Sequence, residues 1–491
     1  MRQRLDELIL QNIDKAPTEP CLWWRGAWWS RGALYEMAAE CEESLAKSGF
    51  TKGQRLGLVL PNSPILLALC IAAWRLGGSV VPVNPHLKYP PVPSYLKSVG
   101  VFGAIVSREI AGLVDFIQDA GIPAVPAALN DVSPAFTGVS GLPDEEGDIA
   151  ALFHTAGASG DVKAVPITHE NILSLLTSIV EMLPQLDEDD VVLNAIPNYH
   201  SLGFVVGGMM PLLTGIPQVV IPSLVPPKHT LTAIRTAGVT VIPAVPIMLR
   251  ILLGSDREIT PMSKVKLVVY GGGELVPGLA ERVREVLGVA PLEGYGLTEA
   301  SGVLAFTPSE AEIRPGTAGR ILSCFDAQVR DAEGNLLPFE TDGRLWIRGD
   351  AVTKGYYRAE ALSAERFRAG WFDTQDVVRI DEDGYITFVS PAVDVVVVDG
   401  IPVYPGEVEA IFKAHPDVAD VAVIGMPRGE KGEYVKACVV LKEGSALRPG
   451  DLLRYGRSRL PSYKAPRSVQ ILPELPRGAM GKVSKKELRG A

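Results

Sequence analysis

Phe153-His154-Thr155-Ala156-Gly157-Ala158-Ser159-Gly160-Asp161-Val162-Lys163 is the stretch whose reading decides the fold. It follows an apolar run, Ile149 to Phe153, that reads as a strand. Gly157 and Gly160 let the backbone turn tightly and bring N–H groups close to an anion. Thr155 and Ser159 add hydroxyl donors and Lys163 a positive charge, a set that suits a polyphosphate. The spacing is not that of the nucleoside-triphosphatase loop, which sets four residues between its Gly and a Gly-Lys-Ser/Thr. Taken alone, the stretch reads equally as a glycine-rich surface turn with a solvated lysine.

The chain on either side alternates short apolar runs with helical spacing. Arg55–Leu60 reads as a strand, Ile65–Leu76 as a helix stopped by Gly77-Gly78, and Ser79–Val83 as a second strand. Continuous apolar strands joined by helices mean a parallel sheet covered on both faces. Trp23-Trp24 and Trp28-Trp29 flank Arg25-Gly26-Ala27 as a small hairpin whose tryptophans pack. Beyond the glycine-rich stretch come strands at Val191–Ile196, Gln218–Ile221, Val239–Ile242 and Leu267–Tyr270, with an apolar helix expected over Phe204–Leu213. Pro197-Asn198-Tyr199-His200 and Gly271-Gly272-Gly273-Glu274 each stand at a strand's carboxyl end, where open parallel sheets place ligands. After Gly316 short strands and turns, such as Ala327–Arg330 and Arg344–Arg348, suggest a small antiparallel barrel. The last hundred or so residues read as a compact α+β domain. The expected fold is therefore α/β: a large domain over 1–389, with doubly wound sheets and the barrel, then a small mobile domain over 390–491. Ser390-Pro391 punctuates the boundary.

The net charge of −10 argues against a general binder of nucleic acid or anionic membranes. From Asp451 onward, however, ten Lys and Arg face three acids, a tail suited to a phosphorylated or acidic partner or simply to solvent. Five cysteines at no metal or redox spacing fit a reducing cytoplasm, and the six histidines do not cluster. The charged start lacks the apolar core of a signal peptide. The uncharged stretch 197–227 is broken by prolines and glycines into strand, helix and strand, so no transmembrane segment is expected.

Three further motifs complete the pattern: Gly294-Tyr295-Gly296-Leu297-Thr298-Glu299; Trp371-Phe372-Asp373-Thr374-Gln375-Asp376, preceded by Lys354-Gly355-Tyr356-Tyr357; and Gly481-Lys482 near the end. With the glycine-rich loop and the Pro-x-x-His, they stand in the order and approximate spacing of the adenylate-forming superfamily. The chain resembles that group of acyl- and aryl-CoA synthetases, peptide-synthetase adenylation domains and firefly luciferase over about 53–486. Tyr199–Gly203 and Leu292–Glu299 look most like fatty-acyl-CoA and acyl-carrier-protein ligases.

The resemblance implies an acid–thiol ligase that uses ATP and Mg²⁺. Thr155, Gly157, Ser159, Gly160 and Lys163 would hold the phosphates, and Glu299 the Mg²⁺. Thr298 would meet the α-phosphate. Tyr295 and Gly296 would take the adenine with Gly272, Gly273 and Glu274, and Asp376 the ribose hydroxyls. Arg379 would serve phosphate or only a surface ion pair. Lys482 would bridge the carboxylate and the α-phosphate. His200 would line the carboxylate pocket, or else be a hydrogen-bonded core histidine. Rotation of the small domain would then expose a tunnel past Gly400 for the thiol of CoA or an acyl carrier protein. An acyl slot is expected among Phe204, Gly207, Gly208, Val245, Pro246, Gly271, Ser301 and Gly302. None is charged, which favours a fatty or aryl acid over an amino acid. A stand-alone aryl- or amino-acid adenylation enzyme, and a family member that binds without catalysis, remain the alternatives.

The chain departs from the family pattern at Ala156 and Ala158, where hydroxyl residues are usual, and at Val162, Ala164 and Gln375. Ser390-Pro391 stands for Gly-Arg, Val393 for the hinge acid and Val397 for a common lysine. Two lost hydroxyls would each weaken phosphate binding by about 0.5–1.5 kcal/mol. Weaker ATP binding or altered domain motion is expected, with the chemistry retained by Lys163, Glu299, Asp376 and Lys482.

Overall fold

The computed structural model describes the chain except residues 1–2, 86, 88–90, 131–135, 137–147, 157–161, 255–258, 260, 274, 276–277, 332, 389–395, 399–400, 404, 429–432, 477–482, 484 and 491. The expected elements form, with ends displaced by a few residues. Arg55–Val59, the helix Pro64–Arg75 and Ser79–Pro82 make a parallel strand–helix–strand unit. Its strands and helix are almost wholly buried, as unbroken apolar runs require. This unit lies within a six-stranded sheet, in the order Ala124–Ala127, Gly103–Ser107, Arg55–Val59, Ser79–Pro82, Ile149–Ala156 and Val162–Thr168.

A second, larger sheet is parallel from Pro20–Trp24 through Gln218–Val220, Val192–Asn194, Val241–Ala244 and Leu267–Tyr270 to Pro291–Tyr295. There it turns antiparallel and continues through Ala305–Phe306, Thr317–Ile321, Tyr385–Phe388, Trp371–Ile380 and Gly343–Gly349 to Phe325–Arg330. The strands expected as a small barrel thus extend the parallel sheet through Pro291–Tyr295. The tryptophan hairpin pairs Pro20–Trp24 with Ala27–Ser30. Arg25 and Gly26 both have positive φ at its two-residue turn, the twist that suits a hairpin, and Trp23 meets Trp28 edge-on at 5.4 Å.

Compact units divide the chain in two. One comprises Met1–His154, Ala164–Asp331 and Leu336–Val389; the other Thr155–Lys163, Ala332–Asn335 and Ser390–Ala491. In the smaller unit Val418–Pro427, Glu433–Leu441 and Ser468–Ile471 form a sheet, flanked in sequence by the helices Pro405–Lys413 and Pro449–Arg459. Val408, Phe412, Val423, Val439 and Leu452 build its separate core. No helix among the described residues is long and apolar enough to cross a membrane.

His169 opens the helix His169–Met182 and is fully buried. Its Nδ1 accepts the Leu5 N–H at 3.2 Å and its ring meets Trp74 edge-on. Burial, and then the Arg4 charge, hold its imidazole down at about 3. Unfolding restores an ordinary value near 6.5, so the unfolded chain binds the extra proton. Stability should be full above pH 6.5 and fall as pH drops towards 3, by up to about 1.4 kcal/mol per pH unit for this group. His169→Gln should flatten the urea-unfolding profile between pH 6.5 and 4 by one proton; an unchanged slope would count against a neutral native imidazole.

Candidate active site

The turn after Pro291–Tyr295 is folded tightly on itself. A Cβ at Gly296 would lie 2.0 Å from the Gly302 carbonyl oxygen, so only glycine fits. Gly302 N–H in turn donates to the Leu297 carbonyl at 3.0 Å. Ser301 takes a left-handed backbone (φ +60) and its Oγ donates to the Ala351 carbonyl at 2.8 Å. These constraints hold Thr298 and Glu299 in a short 3₁₀ turn. Ser201 Oγ donates to Thr298 Oγ1 at 3.3 Å, joining this turn to the Pro197–His200 segment.

Glu299 is bound from one side. Tyr356 Oη donates to its Oε1 at 2.8 Å, and the Thr353 N–H to its carbonyl at 2.9 Å. Thr353 Oγ1 also donates to the Pro166 carbonyl at 2.6 Å, and the Tyr357 N–H to the Ala164 carbonyl at 2.8 Å. Residues 351–357 therefore brace two things at once: the carboxylate turn and the strand that returns from the glycine-rich stretch. Burial, and then the Glu299 charge, push the Tyr356 hydroxyl far above its ordinary range, so it stays a donor. If Glu299 holds the Mg²⁺ that the resemblance implies, Tyr356→Phe should raise the Mg²⁺ concentration needed for activity about tenfold, the cost of losing a partner that orients a ligand carboxylate. Stability should fall by only about 0.5–1.5 kcal/mol. A Mg²⁺ titration of both proteins checks this.

Asp376 lies beside the same turn. Tyr295 Oη donates to Asp376 Oδ2 at 2.5 Å, and the ring of Tyr295 meets Phe388 edge-on at 4.8 Å. Burial, then the Asp376 charge, push the Tyr295 hydroxyl well above its usual range. Asp376 is set by its neighbours: Thr374 Oγ1 accepts its N–H at 3.1 Å, while Asp373 Oδ1 accepts the Gln375 N–H at 2.8 Å and Asp373 Oδ2 pairs with Arg344 at 2.7 Å. Gln375 occupies the left-handed region (φ +65), the position where the resemblance expects glycine. That conformation costs a side-chain-bearing residue roughly 1–3 kcal/mol, here held by the Asp373 turn. Gly272 is also left-handed (φ +82), and a Cβ there would sit 3.9 Å from Val245.

Of the two roles open to Arg379, the structure shows the surface ion pair: its Nε and Nη2 reach Asp342 Oδ1 at 2.8 and 2.7 Å. It lies three positions beyond Asp376 on one strand.

The acyl slot differs from expectation because the segment after His200 is not an ordinary helix. Gly203–Met209 is a π-helical turn, followed by the α-helix Met210–Thr214. The wider turn rotates the faces. Phe204, expected as a wall of the slot, is fully buried against Phe153 and Trp74. A Cβ at Gly207 would press 2.9 Å from Asn194 Oδ1, and one at Gly208 would meet Asn198 and Leu67 at 3.5 Å. Asn194 thus crowds Gly207, and Asn198 and Leu67 lie beside Gly208 at ordinary contact distance. Ser301 and Gly302 are packed as described. Leu202 and Val206, one wider turn apart, keep accessible surface, as do Val245 and Gly271. His200 is exposed at its surface, and the protein packed around it holds its imidazole below the ordinary value, at about 4. His154 is held at about 3 by burial and then by the His200 charge. Both are neutral near pH 7.

Lys163 is buried and Thr155 half-buried. Gly157, Ser159, Gly160, Glu274, Gly400 and Lys482 lie outside the described residues, as does the Ser390-Pro391 boundary. The sequence reading singled out Lys354–Tyr357 without a role. It quoted Ser201 and Leu202 within Tyr199–Gly203 without a role and passed over Val206, because neither their partners nor the π-helical turn leave a local signature.

The AMP-binding enzyme family profile matches residues 10–357, and that of the AMP-binding enzyme C-terminal domain matches 407–482. A feruloyl-CoA synthase from Amycolatopsis is 31% identical over 462 residues, covering 93% of this chain and 92% of its own. A long-chain-fatty-acid–CoA ligase from Bacillus subtilis is 27% identical, covering 90% and 86%. The structure of ATP-bound MatB from Rhodopseudomonas palustris superposes with a TM-score of 0.70 at 27% identity, covering 99% of each chain.

Proposed function

Because the chain belongs to the AMP-binding enzymes, and its relatives include acid–CoA ligases, we propose that it activates a carboxylic acid with an uncharged fatty or aryl tail and passes it to coenzyme A. The observation that carries this reading is one turn flanked by two separately held carboxylates: Glu299 on Tyr356 and Asp376 on Tyr295. One suits the phosphate end of ATP and the other its ribose.

The reaction needs the acid's carboxylate oxygen to attack the α-phosphorus and displace pyrophosphate. The thiol then attacks the acyl carbon and AMP leaves. Two anions must meet in the first step, so the site supplies aligned donors and cations. The Thr298 hydroxyl suits a phosphate oxygen. Asp376 can accept from ribose hydroxyls once Tyr295 yields its hydrogen bond. Neutral His200 can donate one hydrogen bond to the acid without competing as a fixed charge.

Among the described residues no three His, Cys, Asp or Glu side chains converge as a metal cage. A single carboxylate is nonetheless how Mg²⁺ is commonly held, with phosphate oxygens and water completing the shell. Glu299 fits that role, and Tyr356 fixes its second oxygen. The ion would neutralise charge on the phosphates.

For the tail, the accessible Leu202, Val206 and Val245 offer apolar surface, and His200 and His154 offer no charge. ATP–pyrophosphate exchange over fatty, aryl, dicarboxylic and amino acids tests this. Fatty or aryl acids alone should support exchange. Exchange with amino or dicarboxylic acids only would overturn the uncharged tail, and none with any acid by a folded protein would leave a binding role. Coenzyme A and holo acyl carrier protein, compared as acceptors, test the second half; transfer to the carrier alone would overturn the coenzyme A assignment.

A further inference from the structure

Four side-chain amides are buried together behind the Pro197–His200 turn. Asn62 follows a strand of the six-stranded sheet; Asn194 ends one strand of the larger sheet, and Gln218 begins its neighbour. Asn198 belongs to the turn itself. Each is at most 3% exposed. Asn62 Nδ2 donates to Asn194 Oδ1 at 3.0 Å and to the Ile196 carbonyl at 2.8 Å, while its Oδ1 accepts the Asn198 N–H at 2.7 Å. Asn198 Nδ2 donates to Asn194 Oδ1 at 3.0 Å and to the Gly203 carbonyl at 2.7 Å. Asn194 Nδ2 donates to Gln218 Oε1 at 2.8 Å and Asn198 Oδ1 at 3.3 Å, and Gln218 Nε2 donates to the Gly208 carbonyl at 3.1 Å.

Every amide oxygen and nitrogen in the group is satisfied, which a dry interior demands. The backbone groups it holds belong to 196, 198, 203 and 208, on both sides of His200. His200 is itself tied into this span, its N–H on the Pro197 carbonyl at 3.0 Å and its carbonyl on the Phe204 N–H at 2.9 Å. The absence of side chains at Gly207 and Gly208 leaves the room that Asn194 and Asn198 fill. An apolar filling of this space could pack as well but would not dictate the path of the turn.

We propose that this amide group is a positioning device: Asn198, with Asn62, Asn194 and Gln218 behind it, sets the His200 turn and the adjoining Leu202 and Val206 for the acid. The proposal rests on the reading of His200 as lining the acid's pocket. Asn198 touches no substrate; it acts through His200.

The test measures KM for the acid, KM for ATP and kcat in wild type, Asn198→Ala, His200→Ala and the double variant, alongside unfolding midpoints. Asn198→Ala should raise KM for the acid about tenfold or more, as expected for one broken buried network, with KM for ATP within about twofold. His200→Ala should cost far less in the Asn198→Ala background than in wild type, because the imidazole is already misplaced. If Asn198→Ala does not fold, Gln218→Met, at the far end of the group, should give a smaller rise in the same constant. A lowered midpoint with KM for the acid unchanged, or fully additive effects, would overturn the proposal and leave a purely structural network. Failure of the underlying reading looks different: His200→Ala alone would leave KM for the acid unchanged.

Discussion

Glu299→Gln should lower ATP–pyrophosphate exchange about a hundred- to thousandfold, the loss seen when one group stabilising transition-state charge is removed. The variant is chosen to keep the geometry. Its amide oxygen can still accept from Tyr356 Oη, and the Thr353 N–H still finds the backbone carbonyl of 299. What disappears is the negative charge, and with it the ligand that a phosphate-bridging cation needs. The side chain is half-buried and its carboxylate is held by Tyr356, so the urea midpoint should move by less than the cost of a core change. Exchange at the wild-type rate with saturating ATP and Mg²⁺ would remove Glu299 from the chemistry. The Tyr356→Phe titration then separates the two roles: the phenol orients, the carboxylate binds.

Lys482→Ala should divide the reaction in two. Lys482 is the cation that the family pattern places at the acid and the α-phosphate, so adenylation should fall about a hundred- to thousandfold, roughly 2.7–4 kcal/mol in the barrier. The second step has no need of that amine if a different orientation of the small domain serves the thiol. Acyl adenylate made separately and supplied with coenzyme A should therefore react near the wild-type rate. Rapid-mixing measurement of both half-reactions decides the matter. Equal loss in both would mean that one arrangement performs the whole sequence, or that the variant is misfolded; its unfolding midpoint distinguishes these.

Much of this architecture can be read from local pattern. Buried parallel strands such as Arg55–Val59 and Leu267–Tyr270 are continuous apolar runs because both faces are covered, and their periodicity survives without knowledge of the neighbours. The carboxyl ends of those strands announce the site, since glycine is needed wherever backbone must approach backbone, as Gly296 does against Gly302. The acidic and hydroxyl residues in that turn follow from the chemistry of phosphate. The hairpin at Arg25-Gly26 was legible for the same local reason.

An ordinary helix was expected over Phe204–Leu213, but Gly203–Met209 is a π-helical turn that packs Phe204, Gly207 and Gly208 against protein and leaves Leu202 and Val206 partly accessible. Nothing in those residues alone encodes the wider turn; it goes with backbone carbonyls at 203 and 208 bonding to amides from Asn198 and Gln218. Of the two roles the sequence left open for Arg379, the contact formed is the ion pair with Asp342, a partner 37 positions away.

The amino-acid order by itself determined the class of fold and the succession of glycine-rich and acidic motifs at the strand ends, because each is a matter of spacing within a few residues. Partnership was decided only in three dimensions. Tyr356 meets Glu299 across 57 positions, Tyr295 meets Asp376 across 81, and Asn62 meets Asn194 across 132. Hydrogen bonds of that reach form only when separate elements pack together, since the low dielectric of the packed interior makes each buried polar atom find a partner wherever the chain has brought one.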